Sequence, residues 1–480
     1  MRTHSCKVLM TVALLAAAAS CSNDDSDSDI ASTERMQVVF DYSPTLSDAG
    51  ALLYLASHPS VELLAVTLPG TGEADCEPGV QITRALLTVA GQADVPIGCG
   101  RNTPLVGERD WPDAWRGAAN TLGEGLLPTV DAEPVVDAEQ LLATTLRDAT
   151  APVTLVAVGP LTNLGVVLGD DPDLASRVER IVIMGGALDV PGNVENAPTA
   201  EWNLYVDPEA TRRVIAAGPP VTFVALDATN YMAWTDRLLV RIDALDTSAA
   251  DVVYQLANST SLDGFYLWDE LAAIVAVDQS VVTTESVSIR VDDDGALVRD
   301  PEGITVEIAV SAETSTARDQ FVQGLNGGKA PPQVSLTAGE LDYFVQVGGA
   351  DSRFNIVINT AFGGLDESNP DTRGMATALF EGFFTGVDGL LVDLRDIDPP
   401  ASLDGEHSEY IDSLAVFAAS RDEVFAAVAV AEGAELFEML ESVLEDAGIN
   451  QIFDRANAAC QALVNYSFLR DGPRPCTQGT

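Results

Sequence analysis

The sequence predicts an α/β fold: a mostly parallel sheet with helices on both faces and a Rossmann-like core, followed by a mainly helical C-terminal domain. Three observations carry this. From Gln37 onward, short apolar runs rich in β-branched residues alternate with helix-like segments, and near-continuous apolar strands belong to sheets buried on both faces. Polar, acidic or glycine-rich residues follow nearly every run, as expected where strand ends border a ligand crevice. Beyond Gly324 the alternation stops and helical periodicity takes over.

In chain order, the candidate strands are Val38–Asp41, Glu62–Thr67, Val153–Val158, Arg180–Met184 and Val221–Leu226. Helix-like stretches between them are Asp48–Ala56, Val80–Ala90, Ala138–Leu146 and Pro208–Ala217. Asp207-Pro208-Glu209 combines a capping carboxylate, a proline and a first-turn acid, so it reads as a structural helix start. The strand ends read Asp41-Tyr-Ser43, Pro69-Gly70-Thr71-Gly72, Gly159-Pro160, Gly185-Gly186 and Asp227, candidates for one pocket. Gly327, Gly328 and Pro331-Pro332 read as a linker, dividing a domain of residues 37–328 from one of residues 329–480. In the latter, Phe354–Asn359 reads as a strand and helical periodicity dominates from Met375. Arg421–Glu441 is amphipathic, with Val424, Phe425, Val428 and Ala431 on one face. His407 is expected at the surface rather than as a ligand. There is no internal repeat.

Residues 1–20 read as an export signal, with Arg2 and Lys7 before an apolar core, Val8–Ala19, and small residues before Cys21. The core is too short for a permanent span, which needs roughly 20 residues. Cys21 is the expected lipidation site, so acyl chains would anchor the mature chain to a membrane; the other reading is a secretory signal in which Cys21 is incidental. Residues 21–36 form an acidic stretch with little to bury, a disordered tether. The expected address is an exported, membrane-anchored lipoprotein.

The chain carries 73 acidic against 25 basic residues, a formal charge of −48, and its only lysines are Lys7 and Lys329. A field of that sign repels nucleic acid and anionic headgroups, which excludes both as partners. Beyond Cys6 and Cys21 lie Cys76, Cys99, Cys460 and Cys476. An even count in an oxidising compartment suggests disulfides, and proximity favours Cys76–Cys99 and Cys460–Cys476 among the possible pairings. No CxxC spacing or cysteine–histidine cluster points to zinc.

Several stretches, in order, carry a family resemblance. They are Val153-Thr-Leu-Val-Ala-Val-Gly-Pro-Leu-Thr-Asn163, Arg180-Ile-Val-Ile-Met-Gly-Gly186, Gly192-Asn193, Ala200-Glu201-Trp202-Asn203-Leu-Tyr-Val-Asp-Pro-Glu209, Asp227-Ala-Thr-Asn230 and Trp268-Asp269-Glu-Leu-Ala-Ala273. Together they resemble the inosine–uridine-preferring nucleoside hydrolases, over roughly Gln37 to Gly324. The resemblance implies a nucleoside-hydrolase-like fold, hydrolysis of an N-glycosidic bond, and a calcium ion that orients water and ribose hydroxyls. Hard Ca²⁺ takes oxygen ligands, so aspartates and a backbone carbonyl must converge at the strand ends. The family's N-terminal D-x-D-x-x-x-D-D motif appears here as Asp41-Tyr42-Ser43-Pro44-Thr45-Leu46-Ser47-Asp48. Ser43 stands where the family has a calcium ligand and general base, and Ser47 where it has a ribose-binding aspartate. Thr71 replaces an asparagine and Trp268 a histidine.

What the resemblance leaves is a set of expectations. Asp48, Asp269 and the Val158 carbonyl are the candidate metal ligands, and Asp41 or Asp48 the candidate catalytic base. For Asp48 the other reading is a first-turn acid complementing the helix dipole. Ser47, Thr71, Asn193, Glu201 and Asn203 are candidate substrate contacts. Trp111, Trp115 and Trp202 either flank the pocket or belong to the core. The resemblance extends to oligomers, which the added C-terminal region weighs against. Losing a positioned base costs about 10²–10⁴ in rate, so two functions stand: a calcium-dependent hydrolase of nucleosides or related ribosides, or a catalytically impaired lipoprotein of the same fold that binds a riboside or a partner. Export favours the metal, because extracellular calcium modules work with dissociation constants of about 10⁻⁴–10⁻³ M.

Overall fold

The computed structural model describes residues 35–131, 134–260, 262, 264–331, 338–363, 372–430 and 463. The signal, Cys21, most of the tether, Cys460, Cys476 and the end of the amphipathic segment Arg421–Glu441 lie outside the described residues.

The strands are β1 (Met36–Asp41), β2 (Val61–Leu68), β3 (Ile97–Cys99), β4 (Val153–Ala157), β5 (Val178–Met184), β6 (Val221–Val224), β7 (Val282–Val291), β8 (Leu297–Arg299) and β9 (Ile304–Ala312). They form one sheet in the order β3-β2-β1-β4-β5-β6-β9-β7-β8. Pairings from β3 to β9 are parallel, while β7 runs antiparallel to β9 and β8. The chain builds outward from β1 in one direction, then returns and builds outward from β4 in the other. The switch point therefore lies between β1 and β4, where an open α/β sheet places its ligand crevice.

The period-2 alternation of the strands sorts the core into two layers. Val38 and Phe40 of β1 and Val156 of β4 face one layer, closed by the helices Leu46–Ser57, Cys76–Val89, Ser248–Asn258, Trp268–Val277 and Thr314–Leu325. Val39, Leu155 and Ala157 face the other, closed by Ala138–Asp148, Thr162–Asp170 and Pro208–Ala216. Asp207 caps the last of these through the Ala210 N–H, the structural role expected of it.

The C-terminal region is helical: Ala338–Gly363, Thr372–Arg395, Asp404–Ala419 and Arg421–Val430. Tyr343, Phe344, Val347, Leu390 and Leu394 form its buried centre, joined by Val240 of the helix Asp236–Asp243. Two expectations are corrected here. Phe354–Asn359 is not a strand but part of the helix Ala338–Gly363. Phe354 falls one helical turn after Ala350 and packs against the same cluster, so tertiary packing overrides the β-branched run. His407 is buried, its ring nitrogens meeting the Tyr343 hydroxyl at 3.0 Å and the Leu394 carbonyl at 3.1 Å. Among the described residues no helix is long and apolar enough to cross a membrane.

Cys76 and Cys99 form a disulfide, as expected from their proximity, tying the start of the helix Cys76–Val89 to the end of β3 across 23 residues. A loop of that size constrains the unfolded chain by about 3 kcal/mol. The Cys76→Ser/Cys99→Ser protein is therefore expected to melt lower by several degrees, checked by thermal unfolding in and out of reductant.

Candidate active site

A cavity of about 650 Å³ opens at the switch point, lined by Thr45–Asp48, Glu73, Val158, Met184, Asn193, Glu201–Asn203, Trp268 and Asp269, with Trp111, Trp115 and Phe265 on its walls. Local folding explains how each polar group arrives. After β1 the chain turns at Ser43-Pro44 and enters the helix Leu46–Ser57, whose first turn carries Asp48. Asp48 accepts from the Ser43 N–H at 3.3 Å and from the Thr45 hydroxyl. The helix Trp268–Val277 carries Asp269 in its own first turn. Ser47 locks the two helix starts together: its hydroxyl oxygen accepts from the Asp269 N–H at 3.1 Å and donates to Glu270 Oε2 at 2.5 Å.

Val158 follows β4, and its carbonyl accepts from Asn203 Nδ2 at 3.1 Å while the same amide donates to the Met184 carbonyl at 3.2 Å. One lone pair of the Val158 carbonyl remains for another partner. Glu201 caps the short helix Trp202–Val206, accepting from Asn203 N at 2.9 Å, Gly186 N at 3.0 Å and Leu204 N at 3.3 Å. Asn193 Oδ1 accepts from Trp202 N at 3.1 Å. The indole N–H groups of Trp202 and Trp268 are buried without a hydrogen-bond partner. Trp111 stacks on Trp202 at 5.1 Å, and Trp115 leans on both.

The electrostatics are one-sided. Asp48, Glu73, Glu201 and Asp269 line the cavity, and no Lys, Arg or His is among the described lining residues. Burial first, and then Asp269, pushes Asp48 well above the usual carboxylate range. Burial raises Asp269 to about 8, with Glu201 and Glu73 adding repulsion against a lowering hydrogen bond from Ser47. Burial likewise lifts Glu201 to about 7 despite its three backbone donors. Glu270, behind Asp269, is raised by burial and by Asp269. Carboxylates packed this way without a counter-charge suit a hard cation in donor type. Asp48, Asp269 and Val158, the expected metal ligands, all line the cavity. Among the described residues no three His, Cys, Asp or Glu side chains come close enough together to hold an ion between them.

Of the expected site residues, Asp48, Ser47, Val158, Asn193, Glu201, Asn203 and Asp269 are brought to this one cavity. Asp41 and Thr71 are not. The alternation of β1 puts Asp41 on the side of Val39, where Oδ2 accepts from the Thr67 hydroxyl at 2.7 Å and from Asn163 Nδ2 at 2.8 Å. Burial raises Asp41 to about 7, against the lowering effect of those two bonds. It supports the crevice from behind, which corrects its assignment as a catalytic base. Thr71 pairs with the Thr162 hydroxyl at 2.8 Å, which in turn donates to Asp207, so its side chain is spent on the scaffold. Two acids went unnoticed in the sequence. Glu73 directly follows the Pro69-Gly70-Thr71-Gly72 strand end, and that adjacency was the available signal. Glu270 lies beside Asp269 in a motif already noted.

Comparison with known proteins bears on the same region. The inosine-uridine preferring nucleoside hydrolase family matches residues 38–332. The chain is 36% identical over 223 residues to the pyrimidine-specific ribonucleoside hydrolase RihA of Shewanella baltica, covering 46% of this chain and 68% of that protein. It is 35% identical over 195 residues to the protein of the same name from Citrobacter koseri, covering 41% and 61%. A solved plant nucleoside hydrolase, PpNRh1, superposes with a TM-score of 0.55 at 26% identity, covering 61% of this chain and 99% of that one. An inosine-uridine preferring nucleoside hydrolase from Bacillus anthracis shares the fold, with a TM-score of 0.53, 24% identity and coverage of 61% and 99%.

Proposed function

This chain belongs to the inosine-uridine preferring nucleoside hydrolase family, and from that premise we propose that it hydrolyses the N-glycosidic bond of nucleosides as an exported, calcium-dependent lipoprotein. One observation carries the reading: Asp48, Asp269, Val158, Glu201 and Asn203, drawn from four separate segments, meet on one cavity at the switch point of the sheet.

Asp48, Asp269 and the Val158 carbonyl would hold the calcium ion, which when bound supplies positive charge to orient a water and the ribose hydroxyls. The protein's own groups do the rest. Ser47 fixes Asp269 by its backbone and keeps the two carboxylate-bearing helix starts in register. Glu201 and the Asn203 side-chain oxygen offer acceptors to ribose hydroxyls, the Asn203 Nδ2 hydrogens being given to the Val158 and Met184 carbonyls. The aromatic walls, Trp111, Trp115, Trp202, Phe265 and Trp268, suit the flat face of a base. Burial excludes bulk water, which strengthens every charge around the ribose as positive charge develops at the anomeric carbon.

Ribose release from inosine, uridine, adenosine and cytidine by the mature protein, with calcium saturating, tests this reading. Turnover of at least one is expected, and none from any would sink it. The second reading, a catalytically impaired binding protein, is favoured by the serines at positions 43 and 47. It predicts nucleoside binding without ribose release. The lipid anchor at Cys21 is tested separately: Cys21→Ser should shift the chain from the membrane fraction to the soluble one.

A further inference from the structure

Ser43, where the family resemblance places a carboxylate, has a different occupation in this fold. Its hydroxyl oxygen accepts from the Ala74 N–H at 3.1 Å. A Cβ on Gly72 would lie 2.6 Å from both Ser43 Cβ and Oγ, so the glycine is what lets the turn lie directly on the serine. Arg116 Nη1 donates to the carbonyls of Gly72 and Glu73, at 3.3 Å each. The Cys76–Cys99 disulfide fixes the chain two residues after Ala74. A turn held at these points has little freedom, and it presents Glu73 to the cavity alongside Asp48 and Asp269.

We propose that Glu73 is the general base of the reaction, doing from the neighbouring turn the work of the carboxylate that position 43 lacks. The assignment rests on the hydrolytic reading above. In the step it serves, the water oxygen bonds to the anomeric carbon and one water proton passes to the Glu73 carboxylate. The electron pair of the C–N bond leaves with the base. The departing base regains a proton through solvent, and Glu73 returns to its ionised form.

Its surroundings suit that task. The guanidinium of Arg116 is engaged by Asp75, Asp110 and the backbone carbonyls of the turn, and its charge acts on the Glu73 carboxylate from there. Burial lifts Glu73 to about 7, near the value at which a base is both ionised and able to hold a proton at neutral pH. Asp41 does not serve from the end of β1, because it is turned to Thr67 and Asn163. Ser43 and Glu73 thus form one device: the serine gives up the chemistry and seats the residue that performs it.

The test compares wild type, Glu73→Gln and Glu73→Ala for ribose release and for the rise in melting temperature that calcium alone produces. Glu73→Gln is expected to lower kcat by about 10²–10⁴, with KM little changed and the calcium-induced stabilisation retained. Added formate should restore part of the activity of Glu73→Ala, since a small carboxylate can enter the vacated space. Glu73→Gln with wild-type kcat overturns the proposal, as does loss of the calcium response, which would make Glu73 a ligand instead. Wild type without any turnover sinks the hydrolytic reading itself, a result distinct from either.

Discussion

Asp269→Asn is expected to lower kcat by about 10²–10³, the scale for losing one preorganised charge stabiliser, and to abolish the stabilisation that calcium confers. The same substitution is expected to stabilise the protein in chelator. Asp269 is held at about 8 in the fold against an ordinary 3.8, mainly by burial. Between those values the folded state keeps a proton that the unfolded chain has released. The group's contribution to stability is therefore complete below about pH 4 and is lost as pH rises through about 8. Asparagine cannot ionise, so the chelated mutant should melt higher than chelated wild type, and the gap should widen from pH 5 to pH 8. Thermal unfolding at both pH values with chelator, and ribose release with calcium, check the two halves. A mutant less stable than wild type in chelator would contradict the account of a cavity strained by unpaired carboxylates.

Glu201→Gln is expected to lose on two counts. The carboxylate accepts three backbone N–H groups, from Asn203, Gly186 and Leu204. A glutamine must turn its amide hydrogens toward at least one of them, leaving a buried donor unpaired at a cost of about 1–3 kcal/mol. The melting temperature should fall by several degrees. The loss of a charged acceptor for a ribose hydroxyl, worth about 1.5–3 kcal/mol, should lower kcat/KM by about 10–100-fold at temperatures where the mutant is folded. If stability falls while kcat/KM holds, Glu201 is a helix cap and nothing more.

Much of this site was legible in the sequence because residues with paired demands leave paired signals. Buried runs such as Val153–Ala157 and Ile181–Met184 are nearly continuous in apolar residues because both faces are covered, so they stand out. The residues just beyond strands fall at the crevice as a consequence of topology, and the family resemblance singled out Asp48, Val158, Glu201 and Asn203, which line the same cavity. Asp41 shows the limit. It sits at a strand end in good register, yet the alternation of β1 turns it to the rear layer, and a one-residue change of face is invisible without the sheet. Strands β7, β8 and β9 passed unremarked because β7 exposes Thr283, Glu285 and Arg290 and carries no continuous apolar run. Phe354–Asn359 went the other way, a strand-like run drawn into a helix by its neighbours. Glu73 belongs to no motif. Its role follows from the bond between Ser43 and Ala74, a contact across 31 residues that no local pattern records.

The two serines in the N-terminal motif thus need not mark a dead enzyme. Ser47 clasps the helix start of Asp269, and Ser43 seats the turn of Glu73. The most direct test of that view is a single titration: wild-type protein stripped with chelator, calcium added stepwise, and both ribose release from a nucleoside and melting temperature followed. No turnover is expected in chelator, with turnover and melting temperature rising together over one calcium range. Turnover indifferent to calcium, or calcium binding that never brings ribose release, would contradict it.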